Sequence, residues 1–388
     1  METLYPATVE ELGEAVAAAA AHGRTLTIRG GGSKAAIGAP TPDAAILSLG
    51  AFAGIVDYDP AELVLTAGAA TPLVEVQALL AASGQMLAFD PFDHGPLFGA
   101  DAGAATLGGV LAAGVAGSQR LSQGGARDHL LGFTAVSGRG ERFVAGARVV
   151  KNVTGYDLPK LAANSWGRLF AMTEVTVKVM PAPRLSATRI VEGLDFATAQ
   201  AVMAAAMGST ADVAAAAHCP ADGGVSSRTA LRLQGFGPSV AARLLLLDRV
   251  IGTVTRQLPR AAETGEAEAL WAAVRTLAPL AGDTPLWRIN VPPSARPALV
   301  EAQDGRWLAD WAGGLVWLAS DADPLVIRAA AVRAGGHAML VRAPMAVRTA
   351  VPALHPPEPG VALLEERIAR AFDPAGVFAT GRMTGERA

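Results

Sequence analysis

The run "RGGGSK", Arg29 to Lys34, follows the apolar stretch "TLTI" and limits what this chain can fold into. A dinucleotide-binding fingerprint needs a strand, a loop of the form G-x-G-x-x-G and then a helix. Lys34 and Ala35 stand where the last glycine of that loop would fall, and the next residues, "AAIGAPTPDAAI", contain too much Gly and Pro for a helix. A Walker A loop needs four residues between its first glycine and the Gly-Lys pair, and these are missing. The sequence therefore excludes both familiar phosphate-binding loops.

Consecutive glycines can still bind an anion. They permit positive φ angles, which aim successive backbone N–H groups into one concavity. Each hydrogen bond to a charged group contributes about 1.5–3 kcal/mol, against about 0–1 kcal/mol for a solvent-screened ammonium. We expect the backbone of Gly31 to Lys34, with the Ser33 hydroxyl, to bind phosphate oxygens, and the solvent-screened Lys34 side chain to matter less. An ordinary tight turn is the alternative.

Length and periodicity predict two domains. At 388 residues the chain exceeds what one core usually supports. Before Pro183 it alternates short strands with glycine-rich connections, for example a helix capped by Thr8 and a half-buried strand in "TEVTVKVM". Beyond Pro183, longer amphipathic helices alternate with strands. We place a boundary at residues 181–185.

Charge and residue counts exclude several function classes. The 32 basic and 35 acidic side chains give a net charge of -3, so we expect no nucleic-acid partner. One cysteine, Cys219, excludes a disulfide framework and an iron-sulfur cluster held by this chain alone. The six histidines never fall at ligand spacing, so we expect no metal site. The acidic N-terminus has no signal-peptide pattern, and the uncharged run Ala102 to Gln119 contains five glycines, so we expect a cytoplasmic protein without a membrane span.

Four segments in order carry a family resemblance: "IRGGGSK", "ATLGGVLAAGVAG" with "GGARDHLLGFTAVSGRGE", "KNVTGYDLPKLAANSWGRLFAMTEVTVKVMP", and "DPAGVFATGRM". Over nearly its whole length the chain resembles flavoproteins of the vanillyl-alcohol-oxidase superfamily. Within them it resembles the FAD-binding subunits of glycolate oxidase (glycolate dehydrogenase). The resemblance implies an α+β fold, with a PCMH-type FAD-binding domain of two α+β subdomains over residues 1–183. It also implies a smaller α/β cap domain over 184–345, and a C-terminal segment, 346–388, that returns to the FAD domain.

The resemblance also implies where FAD binds. The first segment would wrap the pyrophosphate, the second would lie under the isoalloxazine, and the third would run along the adenine end. The implied cofactor-binding residues are Arg29, Gly30, Gly31, Gly32, Ser33, Lys34, Thr106, Leu107, Gly108, Gly109, Gly114, Gly117, Ser118, Asp128, Gly167, Ala171, Glu174 and Val175. Close helix packing is the alternative for the glycines of the second segment. Two departures from the family pattern, "SWGRLFAM" and "ATGR", leave the contacts near Ala171 and the role of Thr380 open, while a role for Arg382 fits.

The same resemblance suggests how the chain works. Ser33 in the first loop and the absence of cysteine before 219 predict non-covalent FAD. The His-rich cap motif of hydroxyacid-oxidising relatives is missing. The catalytic candidates are therefore few, and each has an ordinary structural role as its alternative: Lys151, Tyr156, Arg288, His337 and Arg342.

The implied function is that of an FAD-binding subunit in a complex that oxidises glycolate, or 2-hydroxy acids, to glyoxylate. Its implied partners are a homologous FAD-containing subunit, which carries the primary substrate site, and an iron-sulfur subunit, with the complex peripheral to the inner face of the cytoplasmic membrane. A self-sufficient oxidoreductase for D-lactate, another 2-hydroxy acid or a sugar lactone is one alternative. A structural subunit without redox-active flavin is another.

Overall fold

The computed structural model describes residues 2–146, 156–293 and 304–385. The chain divides into two compact units. The first unit comprises Met1–Ala116, Gly124–Ala182 and Met345–Ala388, and the second comprises Gly117–Gln123 and Pro183–Pro344. Each unit is therefore built from discontinuous pieces of the chain.

The described helices are α1 (Val9–Ala21), α2 (Leu73–Ala82), α3 (Leu107–Ala112), α4 (Arg120–Gln123), α5 (Ala126–His129), α6 (Leu158–Ala162), α7 (Phe196–Met207), α8 (Gly237–Val254), α9 (Thr264–Thr276), α10 (Pro324–Arg333), α11 (Met345–Ala350) and α12 (Pro359–Phe372). Short 3-10 turns cover Gly95–Phe98, Ala278–Leu280 and Trp311–Gly313. The strands are β1 (Thr3–Leu4), β2 (Leu26–Arg29), β3 (Ala45–Ser48), β4 (Ile55–Asp59), β5 (Val64–Gly68), β6 (Gln85–Met86), β7 (Leu130–Ser137), β8 (Arg142–Gly146), β9 (Phe170–Lys178), β10 (Met180–Pro181), β11 (Leu185–Glu192), β12 (Ala215–Cys219), β13 (Arg228–Gly235), β14 (Arg260–Ala261), β15 (Leu286–Asn290), β16 (Arg306–Asp310), β17 (Leu315–Ala319) and β18 (His337–Arg342).

Helix α1 begins and ends as its sequence predicts. The Thr8 hydroxyl accepts a hydrogen bond from the Glu11 N–H at 3.1 Å, and Glu11 in turn accepts one from the Ala7 N–H at 2.7 Å. Gly23 follows the helix with a φ of +62°, in the left-handed region that favours glycine. The apolar face of the helix is buried in a core cluster with β2 and β3.

The first unit contains a three-stranded parallel sheet in the order β1-β3-β2 and a five-stranded antiparallel sheet in the order β4-β5-β9-β7-β8. Strand β2 leads directly into the glycine run, and no helix follows that run before β3. Strand β9 is central, so the prediction of a half-buried strand is wrong. Thr176 lies on its expected outer face, but it is buried and shares a 2.9 Å hydroxyl contact with Thr66 on β5.

The C-terminal segment completes the first unit. Phe372, the last residue of α12, packs edge-on against Phe170 of β9 with ring centroids 5.1 Å apart. The Asp373 carboxylate then accepts hydrogen bonds from the N–H groups of Val377 at 2.8 Å and Phe378 at 2.7 Å. The Val377 carbonyl accepts one from the Leu26 N–H at 2.7 Å, which fixes the tail at the start of β2.

The second unit is built on an eight-stranded sheet in the order β14-β11-β13-β12-β16-β17-β15-β18. Helices and strands alternate along much of this unit, yet all the strand pairs are antiparallel. Strands β16 and β17 form a hairpin whose connection is the 3-10 turn Trp311–Gly313. Helices α7 and α8 supply buried apolar residues such as Met203 and Leu247.

Candidate functional site

A cavity of about 370 Å³ lies within the first unit. It brings together parts of all four segments that the sequence singles out, and adds Arg348 from the C-terminal segment. The lining residues that bear on the argument are Arg29, Gly30, Gly31, Gly32, Ser33, Lys34, Thr106, Gly108, Gly109, Trp166, Gly167, Phe170, Met172, Arg348 and Arg382.

The glycine run supplies backbone donors to this cavity. Gly32 has a φ of +84°, as the concave loop requires. Within the described chain, the N–H groups of Gly31 to Lys34 donate to no acceptor, although the loop is partly buried. Backbone donors removed from water need a partner. The loop therefore has four N–H groups without an acceptor in the described chain, beside the cavity that its residues line.

The glycines also let backbones approach each other. A Cβ on Gly31 would lie 1.9 Å from the Ala104 carbonyl oxygen, and one on Gly108 would lie 2.7 Å from Ala69. Gly108 also donates its N–H to the Ala69 carbonyl at 2.8 Å. These glycines are thus needed for close packing, which was the alternative interpretation of the second segment, and they line the cavity as well.

The electrostatics of the cavity are one-sided. Its lining includes Arg29, Lys34, Arg348 and Arg382 and no carboxylate. Burial lowers the pKa of Lys34 to about 8, with the nearby Asp93 carboxylate raising it and Arg382 lowering it further. The prediction of a solvent-screened Lys34 is wrong, because this side chain is partly buried within the cavity. Several partly buried cations without a carboxylate in the same cavity favour an anionic ligand.

Two arginines tie the C-terminal segment to the loop. The Arg382 guanidinium donates to the carbonyls of Lys34 and, at 2.8 Å, of Ile37. Arg348 donates to the Gly38 carbonyl at 2.8 Å. Burial, then Arg348 and Arg29, lower the pKa of Arg382 to about 10. Hydrogen bonds to carbonyls leave the charge of these side chains uncompensated.

A strained loop closes another side of the cavity. Asn164, Trp166 and Gly167 have φ angles of +69°, +57° and +69°. For a tryptophan such an angle is a costly outlier, and strain of this kind clusters at functional sites. Trp166 is fixed by its N–H, which donates to the Ala112 carbonyl at 2.8 Å. Sequence analysis named Gly167 but missed Trp166, whose place beside that glycine was the available signal.

Sequence analysis also missed Phe170, Met172 and Arg348 as lining residues. Phe170 and Met172 alternate along β9 with Ala171, which faces the other side and is buried in a core cluster. Arg348 lies 310 positions after Gly38, whose carbonyl it contacts. No local pattern in the sequence marks such a contact.

Several implied cofactor residues do not line this cavity. Leu107 and Val175 are fully buried in the core, Ala171 lies in a second core cluster, and Glu174 pairs with Gly68 and Thr134 inside the sheet. Asp128 accepts a hydrogen bond from the Gly125 N–H at 2.8 Å and so caps α5. Gly114 has a φ of +61° and packs against Asn164.

Gly117 and Ser118 belong to the second unit. The Gly117 carbonyl accepts a hydrogen bond from the Trp311 indole at 3.0 Å, and the Ser118 hydroxyl donates to Asp310 at 2.8 Å. The structure therefore accounts for both residues by contacts within that unit.

The catalytic candidates are not brought together. Lys151 lies outside the described residues, and Tyr156 is 92 % exposed. His337 is exposed at the start of β18, opposite Asn290. Arg342 is buried and donates to the carbonyls of Leu280 at 2.7 Å and Thr284 at 3.2 Å, a structural role. Arg288 lies partly buried on β15 beside the Trp311 ring.

Known proteins agree with this architecture. A family model described as an FAD binding domain matches residues 3–146. The glycolate oxidase subunit GlcE of Escherichia coli K12 is 34 % identical over 363 residues, which are 93 % of each chain. The chain belongs to the GlcE family. The glycolate oxidase subunit GlcD of Bacillus subtilis is also 34 % identical, but over only 94 residues, 24 % of this chain and 20 % of that one.

The fold of this GlcE-family chain also matches solved structures. The crystal structure of p-cresol methylhydroxylase with substrate bound has a TM-score of 0.73, at 14 % identity, over 99 % of this chain and 88 % of that one. The family and the fold confirm the α+β, PCMH-type prediction. They also confirm that the chain is an FAD-dependent oxidoreductase with FAD as its cofactor.

Two further observations concern the described ranges only. None of their helices is long and apolar enough to cross a membrane. Nor do three or more His, Cys, Asp or Glu side chains in these ranges gather as ligands of a metal ion would.

Proposed function

We propose that the chain is the FAD-binding subunit of a complex that oxidises glycolate, or related 2-hydroxy acids, to the corresponding oxo acid. FAD would be bound without a covalent bond, and electrons would leave through an iron-sulfur partner. The proposal rests on the cavity of the first unit. In the described chain, the backbone N–H groups of the glycine run have no acceptor there, and the lining side chains include four cations and no carboxylate.

The residues present fit FAD. The N–H groups of Gly31 to Lys34 would hold the diphosphate oxygens, and Lys34, Arg348 and Arg382 would neutralise their charge. The apolar side chains of Trp166, Phe170 and Met172 line the same cavity and suit a ring system. When bound, FAD supplies a two-electron acceptor for the C–H bond next to a hydroxyl group.

Two features of the sequence support the remaining parts of the proposal. Ser33 occupies the first loop and the only cysteine is Cys219, so the loop has no thiol or imidazole for a flavin linkage. One cysteine also falls short of the four thiolates that an iron-sulfur cluster usually needs. Electrons that leave the flavin through such a cluster would need a second chain. We further propose that a homologous FAD-containing subunit carries the primary substrate site.

The test is to purify the chain alone, and also together with the homologous flavoprotein and iron-sulfur subunits, and to count FAD and iron in each preparation. We expect one FAD per chain in the isolated protein, no iron, and no bleaching of the flavin when glycolate or D-lactate is added without oxygen. The complex should contain iron, and its flavin should bleach with glycolate.

Other results would contradict the proposal. Rapid bleaching of the isolated chain by glycolate or D-lactate would make it a self-sufficient 2-hydroxyacid oxidoreductase. A colourless protein that stays colourless when titrated with FAD would make it a structural subunit.

A further inference from the structure

Two arginines of the second unit share one aromatic ring. The guanidinium carbon of Arg120 lies 4.9 Å from the centre of the Trp311 ring, and that of Arg288 lies 5.3 Å from it. Among the described residues, neither side chain makes a hydrogen bond or an ion pair. Guanidinium groups often stack on indole rings. Two of them against one ring, neither with a carboxylate partner among the described residues, form a cationic cluster.

Other arginines of the same unit do have carboxylate partners. Arg189 pairs with Asp248 at 2.8 Å, and Arg243 pairs with Asp212 at 2.9 Å. Arg260 lies 2.6 Å from both Glu192 and Glu266. These three arginines have carboxylate partners, which Arg120 and Arg288 lack among the described residues.

The pair is costly to keep. Burial, and then the like charge of Arg120, lower the pKa of Arg288 to about 10. Bringing two like charges together in a partly buried place costs free energy unless a counter-charge arrives. A cation whose pKa is perturbed and that has no structural partner, as Arg288 is, is a candidate for a binding site.

The fold positions both arginines firmly. Arg288 is in the middle of β15, opposite Trp317 of β17 and Met339 of β18. Arg120 begins the short helix α4. The residues that flank Arg120 are bonded to the rest of the unit: the Gly117 carbonyl to the Trp311 indole at 3.0 Å, the Ser118 hydroxyl to Asp310 at 2.8 Å, and the Ser122 hydroxyl to the Ala214 carbonyl at 2.7 Å.

The ring that both arginines contact is held by strained backbone. Trp311 and Ala312 have φ angles of +52° and +54° in the hairpin turn. The Asp310 carboxylate accepts the Trp311 N–H at 2.8 Å, and the Trp311 carbonyl accepts the Gly314 N–H at 2.9 Å. Such angles are rare for a tryptophan and persist where surrounding contacts enforce them, most often at functional sites. The strained backbone of Trp311 and the lack of carboxylate partners for the two arginines are independent observations on one cluster.

We propose that Arg120, Arg288 and Trp311 form a binding site for a small carboxylate. A guanidinium presents parallel N–H donors that match the two oxygens of a carboxylate, and the indole offers a flat floor beside them. Arg120 is exposed, so the cluster is open to solvent at that edge. The assignment of this carboxylate to a 2-hydroxy acid or its oxo product rests on the proposed function, whereas carboxylate binding itself does not.

The experiment is calorimetric titration of the flavin-loaded, full-length protein with glycolate, with its neutral amide glycolamide, and with inorganic phosphate. We expect glycolate to bind and glycolamide to bind at least tenfold more weakly. Arg288→Gln should weaken glycolate binding about 10- to 100-fold, and Arg120→Gln should weaken it by a smaller factor. Arg249→Gln is the matched control, because Arg249 is an exposed arginine of α8 in the same unit, and it should change nothing.

Arg120→Gln keeps the test decisive if the Arg288 variant fails to fold, since the Arg120 side chain is exposed. Glycolate affinity unchanged in Arg120→Gln and in any folded Arg288→Gln would overturn the proposal. So would binding of phosphate with no binding of glycolate. Calorimetry measures binding without turnover. If the chain binds glycolate but its flavin never bleaches, alone or in the complex, the proposed function is contradicted and the carboxylate site is not.

Discussion

The two units each concentrate positive charge without carboxylates, but they do so by different means. In the cavity of the first unit, backbone N–H groups of the glycine run lie among the cations, and Arg348 and Arg382 bond to loop carbonyls. In the second unit, Arg120 and Arg288 contact the Trp311 ring, and neither has a carboxylate partner among the described residues. The first arrangement suits a large, doubly charged group such as a diphosphate, and the second suits one small anion.

The two sites are therefore sensitive to different substitutions. The first site depends on the close approach of backbones, so any added side chain disturbs the whole loop. The second depends on the side chains of Arg288 on β15 and Arg120 on α4. Replacing one of these side chains should remove its charge and leave the backbone of the site in place. Four predictions follow from this contrast in order of expected size.

Gly31→Val should have the largest effect. Its Cβ would lie 1.9 Å from the Ala104 carbonyl oxygen, so the loop must move. We expect FAD to be lost on purification and the free energy of unfolding to fall by about 1–3 kcal/mol. Flavin absorbance per chain and denaturant unfolding measure the two effects. Gly50→Ala is the control, because a Cβ at Gly50 would lie 3.6 Å from the Ser48 hydroxyl oxygen, an ordinary contact distance. Equal losses of FAD and of stability in both variants would show that glycine content alone matters.

Arg382→Gln should come next. This change removes a cation of the cavity and its hydrogen bonds to the loop carbonyls of Lys34 and Ile37. We expect FAD affinity to fall about 100-fold, as for charge-assisted hydrogen bonds. Fluorescence titration of flavin-free protein with FAD gives the value. The matched control is Arg370→Gln, an exposed arginine of the same segment paired with Glu366. Full affinity in Arg382→Gln would remove the C-terminal segment from the site.

Lys34→Met should weaken FAD binding about tenfold at pH 7 and abolish a pH dependence. Without ligand the pKa of Lys34 is about 8, and a bound diphosphate favours the protonated form. Affinity should therefore be constant below pH 8 and fall by up to tenfold per pH unit above it. In flavin-free protein the lowered pKa of Lys34 reduces the free energy of unfolding. This reduction is complete below pH 8 and disappears as the pH rises to 10.5, the usual lysine pKa, so stability changes with pH in the opposite direction to FAD affinity.

Titration of FAD affinity between pH 6 and 10 measures this slope. Lys160→Met, at an exposed lysine paired with Asp157, should leave both affinity and slope as they are. A wild-type affinity that does not change above pH 8 would mean that Lys34 is no partner of the cofactor.

The smallest effect belongs to the second unit. Acetate at ten times its dissociation constant should raise the free energy of unfolding by about 1.4 kcal/mol, because it binds the folded state alone. Thermal denaturation, with chloride at equal ionic strength as the control, measures the shift. Arg288→Gln should not respond to acetate. An equal response of that variant would place the stabilisation elsewhere on the protein.

The first site was more predictable than the second, for a physical reason. Glycines mark a loop because few other residues adopt the positive φ of Gly32 or fit against Ala104, and these limits are local in sequence. Family resemblance then placed FAD on that loop. The sequence missed the burial of Lys34, because nothing beside it shows that Asp93 and Arg382 lie nearby.

Contacts over long separations escaped the sequence in both units. Arg348 reaches a loop whose residues come more than 300 positions earlier, and Arg120 meets Arg288 through Trp311 only when two distant strands and a short helix are in place. The burial of both faces of β9 was likewise missed, because Thr176 is a polar residue on the outer face and yet is buried beside Thr66 of β5.

We propose that the cavity of the first unit binds the diphosphate of FAD. The most direct measurement is titration of flavin-free protein with FAD, FMN and riboflavin, which share the ring but carry a diphosphate, one phosphate and none. We predict that affinity falls in that order, with riboflavin at least 100-fold weaker than FAD. Riboflavin bound as tightly as FAD would contradict the account.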